Sequence, residues 1–392
     1  MDPRSNPYAP GAGTPPPELA GRDELLERAA IALDRIRGGL AAKSLLLVGL
    51  RGVGKTVLLN RIRNDAEARG FATIFIEAPE KRSLPAMLAG PLRAALLKLD
   101  RLAAGGDLAK RALRALGGFV NAMKVKFGDV EFGVDLGTEP GVADTGDLEH
   151  DLAELLATVA AAARERQTAL VLFADELQYV DEDQLAALIT ALHRCAQQSL
   201  PVTLVGAGLP QLIGQTGRAK SYAERLFEFP AVGPLAPEYA RMALQAPAAA
   251  RGVAYADEAL EEILAQTQAY PYFLQEWGKH SWDAAAASPI TRAHVDRATA
   301  TATAELDASF FRVRFDRLTP SEKRYLRAMA ELGPGPHRSG DIAERLEAKV
   351  QSVAPVRAGL IGKGMVYSPA YGDTAFTVPL FDQFMRRVMP WR

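Results

Sequence analysis

One cysteine, Cys195, stands in 392 residues. That excludes an internal disulfide and a zinc site built from clustered cysteines. Long apolar runs are missing too. Nothing approaches the ~18 consecutive apolar residues that span a bilayer, so no membrane partner is expected. The opening stretch MDPRSNPYAPGAGTPPP lacks the apolar segment of a secretory signal, and the expected compartment is cytoplasmic. Neither sign of charge is in excess. With a net charge of −1 the whole molecule is no general binder of nucleic acid, and any DNA surface has to be local. No nucleophile elbow surrounds a serine, which removes support for a hydrolase triad. His193, His280, His294 and His337 are scattered without metal-ligand spacing, so core or surface roles are expected of them. There is no internal repeat and no guanine-reading N-K-x-D.

What is there is ordinary soluble composition, 48% apolar and 24% charged, at a length suited to two or three domains. Residues 1–17 are rich in Pro and Gly and are expected to lie extended on the surface or to be mobile. A helix is expected over 23–37. Strand-like apolar runs then recur at 44–48, 71–76, 169–174, 201–205 and 226–229, mostly separated by helical patterns. That alternation predicts an α/β fold with a parallel sheet covered on both faces. An insertion between the second and third runs holds a helix near 85–101. It then holds KVKFGDVEFGVDL at 124–136, whose alternation around Gly128-Asp129 reads as a β-hairpin within an insertion of about 119–137. From about residue 237 the strands stop, and helical stretches follow near 238–250, 257–267, 272–287 and 291–308. Trp277 and Trp282 read as core of that region. Thr319-Pro320-Ser321 then opens a helix through Leu332. Helices at 339–346 and 350–361 follow, and MVYSPAYGDTAFTVP reads as strand, turn, strand. Three helices and a two-stranded wing give the order of a winged helix-turn-helix.

The chemistry lies in VGLRGVGKT at 48–56. Gly49, Gly54, Lys55 and Thr56 fill every fixed position of G-x-x-x-x-G-K-[ST]. The glycines allow backbone N–H groups to turn onto phosphate oxygens, and the next helix offers its positive end. Lys55 would reach the β and γ phosphates, and the Thr56 hydroxyl would ligate magnesium. Nucleotide contacts are therefore expected from Gly49, Arg51, Gly52, Val53, Gly54, Lys55, Thr56 and Val57. The second element is ALVLFADELQYV at 169–180, an apolar strand ending in Asp175-Glu176. Asp175 would hold magnesium through water, and Glu176 would polarise the attacking water. The Asp-Glu order favours an additional-strand NTPase over a GTPase. ATP and Mg2+ are the expected cofactors.

Together these residues resemble an AAA+ ATPase of the origin-recognition-complex-like group, close to the archaeal ATPases and the signal-transduction ATPases with numerous domains. The likeness is carried by Leu19-Ala20-Gly21-Arg22 with Glu24-Leu25, GLRGVGKT, FADE, VTLVGAGLP at 202–210 and YPYFLQEWG at 270–278. It implies a five-stranded P-loop core over 18–236, a helical lid over 237–309 and a winged helix over 310–392. It also implies that Gly21 and Arg22 lie near the adenine. Arg225, in SYAERLFEF, stands where the family carries a finger toward a neighbour's γ phosphate. The alternative for Arg225 is a salt bridge on the sheet edge, and Arg218 is a weaker candidate for the finger. Two departures stand out. Past the fourth strand, where a polar residue is usual, this chain has Gly206, Ala207 and Gly208. The lid stretch AYPYFLQEWGKH has Pro271 and Gln275 and no arginine. Losing one such polar contact costs ~3 kcal/mol in catalysis, so slow hydrolysis is expected.

In the winged helix the second helix of the pair would enter the DNA major groove. Lys349, Gln351, Ser352, Arg357 and Lys363 are the candidate contacts, with Arg338 on the approach. Residues 320–392 hold 11 Lys and Arg against 7 Asp and Glu, an excess that favours phosphate contact. FFRVRFDR at 310–317 is basic too, and reads equally as a linker helix with solvated arginines. The expected function is an ATP switch coupled to duplex DNA, with a homo-oligomer completing the site. The competing class is a signalling or scaffold ATPase whose winged helix locks the ADP form and binds a partner protein.

Overall fold

The computed structural model describes residues 1–11, 13–78, 82–101, 107–124 and 138–391. The hairpin expected at 124–136 lies outside the described residues, Lys124 aside. The chain divides into two compact units: residues 23–48 with 55–231, and residues 1–22 with 49–54 and 232–392.

The first unit is built on a five-stranded parallel sheet. Its elements are α1 (Asp23–Arg37), β1 (Ser44–Val48), α2 (Lys55–Ala68), β2 (Ala72–Glu77), α3 (Leu84–Arg101), α4 (Asp107–Ala122), α5 (Leu148–Glu165), β3 (Leu170–Asp175), α6 (Glu182–Gln197), β4 (Val202–Gly208), α7 (Gln211–Ala219), α8 (Ala223–Leu226) and β5 (Phe227–Glu228). The strand order is β2-β3-β4-β1-β5. β1, β3 and β4 are buried along their whole length, as strands covered on both faces must be. This is why SLLLV and LVLFA read as unbroken apolar runs. Leu46, Ile76, Leu172 and Leu204 of the strands share one core with Leu88, Phe119, Leu156 and Leu188 of the helices. β4 lies between β1 and β3, the additional strand that the Asp-Glu order anticipated. The insertion differs from expectation. Residues 107–122 form α4, so the first residues of the supposed hairpin segment, 119–122, are helical.

The second unit is mostly helical. It contains α9 (Pro237–Ala249), α10 (Asp257–Thr267), α11 (Pro271–Ala284) and α12 (Arg292–Leu306). A π-helical turn (Asp307–Phe311) leads into α13 (Arg312–Asp316). Next come α14 (Pro320–Leu332), β6 (His337–Arg338), α15 (Ser339–Arg345), α16 (Val350–Gly362), β7 (Val366–Tyr367), β8 (Asp373–Phe376) and α17 (Phe381–Val388). A capping box holds the start of α14: Glu322 N–H points at Thr319 Oγ1, and Glu322 Oε2 accepts Thr319 N–H at 2.7 Å. The small sheet has order β6-β8-β7. β6 and α17 are additions to the elements expected there. Trp277 and Trp282 are core, as expected. The N-terminal segment is anchored, contrary to a mobile reading. Tyr8 is buried, donates to the Leu244 carbonyl and accepts from the Tyr255 hydroxyl. Asn6 donates to the Lys279 carbonyl at 3.0 Å, and Trp282 Nε1 donates to the Asp2 carbonyl at 3.1 Å.

Candidate nucleotide site

In the sheet unit, β3 ends on Asp175 and α2 begins on Lys55. The Thr56 hydroxyl donates to Asp175 Oδ2 at 2.6 Å, although the two residues lie far apart in sequence. Asp175 is 3% exposed, and Glu176 N–H donates to its Oδ1 at 2.8 Å. Burial pushes the Asp175 carboxyl up from its ordinary value. The Thr56 and Glu176 hydrogen bonds and the Lys55 charge oppose that rise. Lys55 is itself buried, at 8% exposure. A hydroxyl and a carboxylate oxygen this close form a hard oxygen pair that fits Mg2+, and a buried ammonium beside them fits phosphate. Val57 follows on the first turn of α2, half-buried.

Glu176 adopts a left-handed backbone, with φ 54°. For a residue with a side chain that conformation is uncommon, and it clusters at functional sites. Gln178, in the short turn after it, belongs to no motif and carries no signal of its own in the sequence. Its Nε2 donates to Glu176 Oε2, and its Oε1 accepts Leu209 N–H at 3.0 Å. The acid is thus held from a side chain, where the family's usual polar group past β4 is missing. A side chain at either glycine would have to displace its neighbours. A Cβ on Gly206 would come within 2.4 Å of Leu177 Cδ1, and one on Gly208 within 2.9 Å of Gln178 Oε1.

Arg225 is exposed on α8, and its guanidinium has no ion pair among the described residues. Arg218 differs: it pairs with Glu182 at 3.2 Å.

In the helical unit, the loop Gly49–Gly54 has its own fastenings. Gly52 and Gly54 take positive φ, 79° and 90°, which favours glycine. Gly49 passes so near the Val232 carbonyl that a Cβ would sit 2.1 Å from its oxygen. Tyr272 N–H donates to the Gly52 carbonyl at 3.1 Å, and Arg51 N–H donates to the Thr377 carbonyl at 2.9 Å. Arg22 donates to the carbonyls of Gly233 at 2.6 Å and Val53 at 3.3 Å, so it does lie on the loop. Burial lowers its pKa. Gly21 packs under the Tyr239 ring. Val53 is buried. Arg51 also lines a cavity of 150 Å³ together with Arg314, Arg317 and Lys363.

Residues 18–205 match the family of AAA ATPase domains. Residues 308–385 match a family described as a domain of unknown function. No curated protein matches the chain in sequence. Among solved structures, the Walker-type ATPase of Pyrococcus abyssi aligns at TM-score 0.59 and 16% identity, over 94% of this chain and 96% of that one. The Aeropyrum pernix ORC1 protein, solved in complex with DNA, aligns at TM-score 0.48 and 18% identity, over 95% and 94%. The Thermotoga maritima RuvB Holliday junction branch migration motor aligns at TM-score 0.45 and 16% identity, over 93% and 96%.

The fold is AAA+. The candidate DNA contacts fall into two sets. Lys349, Gln351 and Ser352 are exposed at the start of α16. Arg357 and Lys363 are engaged inside their own unit. Arg357 donates to Thr374 Oγ1 at 2.7 Å and to the Asp373 carbonyl at 2.8 Å, while Lys363 pairs with Glu322 at 2.7 Å. Among the described residues, no helix is long and apolar enough to cross a membrane.

Proposed function

We propose that the chain is an ATP-binding, slowly hydrolysing switch in the cytoplasm whose nucleotide state is coupled to its C-terminal segment. The observation that carries this reading is the 2.6 Å contact between Thr56 Oγ1 and Asp175 Oδ2. Bound Mg2+ would neutralise the charge shared by the β and γ phosphates. Thr56 and Asp175 would hold that ion, and Lys55 would supply a buried cation to the phosphate tail. Glu176 would take a proton from the attacking water. Slow turnover is supported by the tie from Gln178 to Glu176, by the lack of room at Gly206 and Gly208, and by a lid stretch without arginine. The exposed guanidinium of Arg225, without an ion pair among the described residues, suits a finger offered to a second copy of the chain, where it would stabilise transition-state charge.

In this reading α14, α15 and α16 with the β6-β8-β7 sheet form a winged helix. Its contact with duplex DNA would run through Lys349, Gln351 and Ser352, which are exposed at the N-terminal end of α16 where groove-reading side chains sit. One observation favours a second reading. The bond from Arg51 N–H to the Thr377 carbonyl joins the phosphate loop to the C-terminal segment. That contact suits a lock on the ADP form, opened by a partner protein. Fluorescence anisotropy with duplex DNA, under ATP or ADP and across a salt series, separates the two. Nucleotide-dependent affinity that falls steeply with salt is expected for the first. No DNA affinity together with co-purified ADP would establish the lock instead.

A further inference from the structure

Glu276 and His280 stand four residues apart on α11 and so share one helix face. Glu305 reaches them from the last turn of α12. His280 Nε2 lies 3.8 Å from Glu276 Oε2 and 3.1 Å from Glu305 Oε2. One ligating atom from each of the three falls within 4.8 Å of the others. Glu276 is 5% exposed and His280 is 7% exposed. Glu276 Oε2 and His280 Nε2 are buried and make no well-formed hydrogen bond among the described residues, and Glu305 Oε2 is the carboxylate oxygen that approaches the ring, at 3.1 Å. Buried lone pairs left unanswered are costly, and a buried carboxylate without a cation is costlier.

The geometry points to a divalent transition-metal site of the zinc class, held by Glu276, His280 and Glu305. At metal–ligand distances of ~2.0–2.1 Å, ligands on a tetrahedron stand roughly 3.4 Å apart. The two separations that His280 Nε2 makes straddle that figure. One imidazole with two carboxylates suits zinc and its neighbours better than an all-oxygen ion. Burial and the Lys279 charge lower the His280 pKa, against the opposing pull of Glu305 and Asp283. Lys279 does not take the third ligand away. Its Nζ sits nearer Glu305 Oε1, at 3.1 Å, than Oε2, at 3.5 Å. A hydrogen bond from the Tyr272 hydroxyl orients Glu276, as outer partners of metal ligands do. The π-helical turn begins two residues past Glu305, and such turns recur at functional sites.

The test uses untagged full-length protein, stripped with chelator and free of nucleotide. It is titrated with Co2+, followed by visible absorption, and then challenged with Zn2+. About one equivalent should saturate the band, and Zn2+ should displace it and raise the melting temperature. His280→Gln and Glu305→Gln should each weaken Co2+ binding by roughly 100-fold. Asp175→Asn should leave the band intact, which separates this site from the Thr56–Asp175 pair. Glu305 is half-exposed, so its variant remains informative if His280→Gln fails to fold. No band in the wild type would overturn the assignment. So would a folded Glu305→Gln protein that binds Co2+ as the wild type does, or loss of the band in Asp175→Asn.

Discussion

The acid pair at the end of β3 and the polar cluster between α11 and α12 are both buried, yet they are completed differently. Around Asp175 each oxygen is answered: Oδ2 by the Thr56 hydroxyl and Oδ1 by Glu176 N–H. Gln178 is likewise used at both ends. Around His280 two buried atoms, Glu276 Oε2 and His280 Nε2, make no well-formed hydrogen bond among the described residues. A network whose members satisfy one another keeps its geometry by itself. A cluster with orphaned lone pairs calls for one more group. The first region is thus a preformed cradle, and the second is a set of ligands.

Four measurements sharpen or break that contrast. The largest effect is expected from Lys55→Ala. Removing a buried cation from its anion costs about 3–5 kcal/mol, so affinity for a fluorescent ATP analogue should fall by roughly 1,000-fold. Unaltered affinity would remove the loop from nucleotide binding. Glu176→Gln comes next: turnover should drop by roughly 100-fold while ATP stays bound, the usual scale for loss of a general base. Equal turnover in a phosphate-release assay would take Glu176 out of that role. Gln178→Ala leaves Leu209 N–H without its acceptor, and should cost about 1–3 kcal/mol in denaturant unfolding. A neutral result would mean that the tie to Glu176 contributes nothing to the cradle. The smallest effect belongs to Arg225→Ala. Stability should stay within about 0.5 kcal/mol, and turnover should fall only where copies associate. Equal slowing of a demonstrated monomer would rule out a finger acting between copies.

Much of the sheet unit could be read from the sequence because its signals are local. SLLLV runs straight into the glycine loop, and LVLFA runs straight into the two acids, so strand and chemistry are contiguous. α4 was harder. Gly117 and Gly118 interrupt its pattern at a cost of ~1 kcal/mol each against alanine. The structure shows what they allow: Gly118 packs against the Val142 carbonyl, where a Cβ would sit at 3.3 Å. β6 is two residues long, too short for any alternation to register. The N-terminal segment reads from composition as extended on the surface or mobile, and composition does not separate the two. What separates them is tertiary: Asn6 and Tyr8 supply side-chain anchors. The cluster on α11 and α12 was missed for a different reason. Glu276 and His280 have helical spacing, but an acid and a histidine four apart are commonplace, and Glu305 joins them only through the packing of two helices.

Consider last the two adjacent peptide groups at Arg51 and Gly52. One gives its N–H to Thr377 and the other takes an N–H from Tyr272. The outer rim of the glycine loop is thereby stitched to chain that follows it by more than two hundred residues. Free energy exchanged through such stitches runs equally in both directions. On the proposed reading, whatever tightens the rim would pull on the strand end at Thr377, and whatever tugs that strand end would retune the grip on a triphosphate.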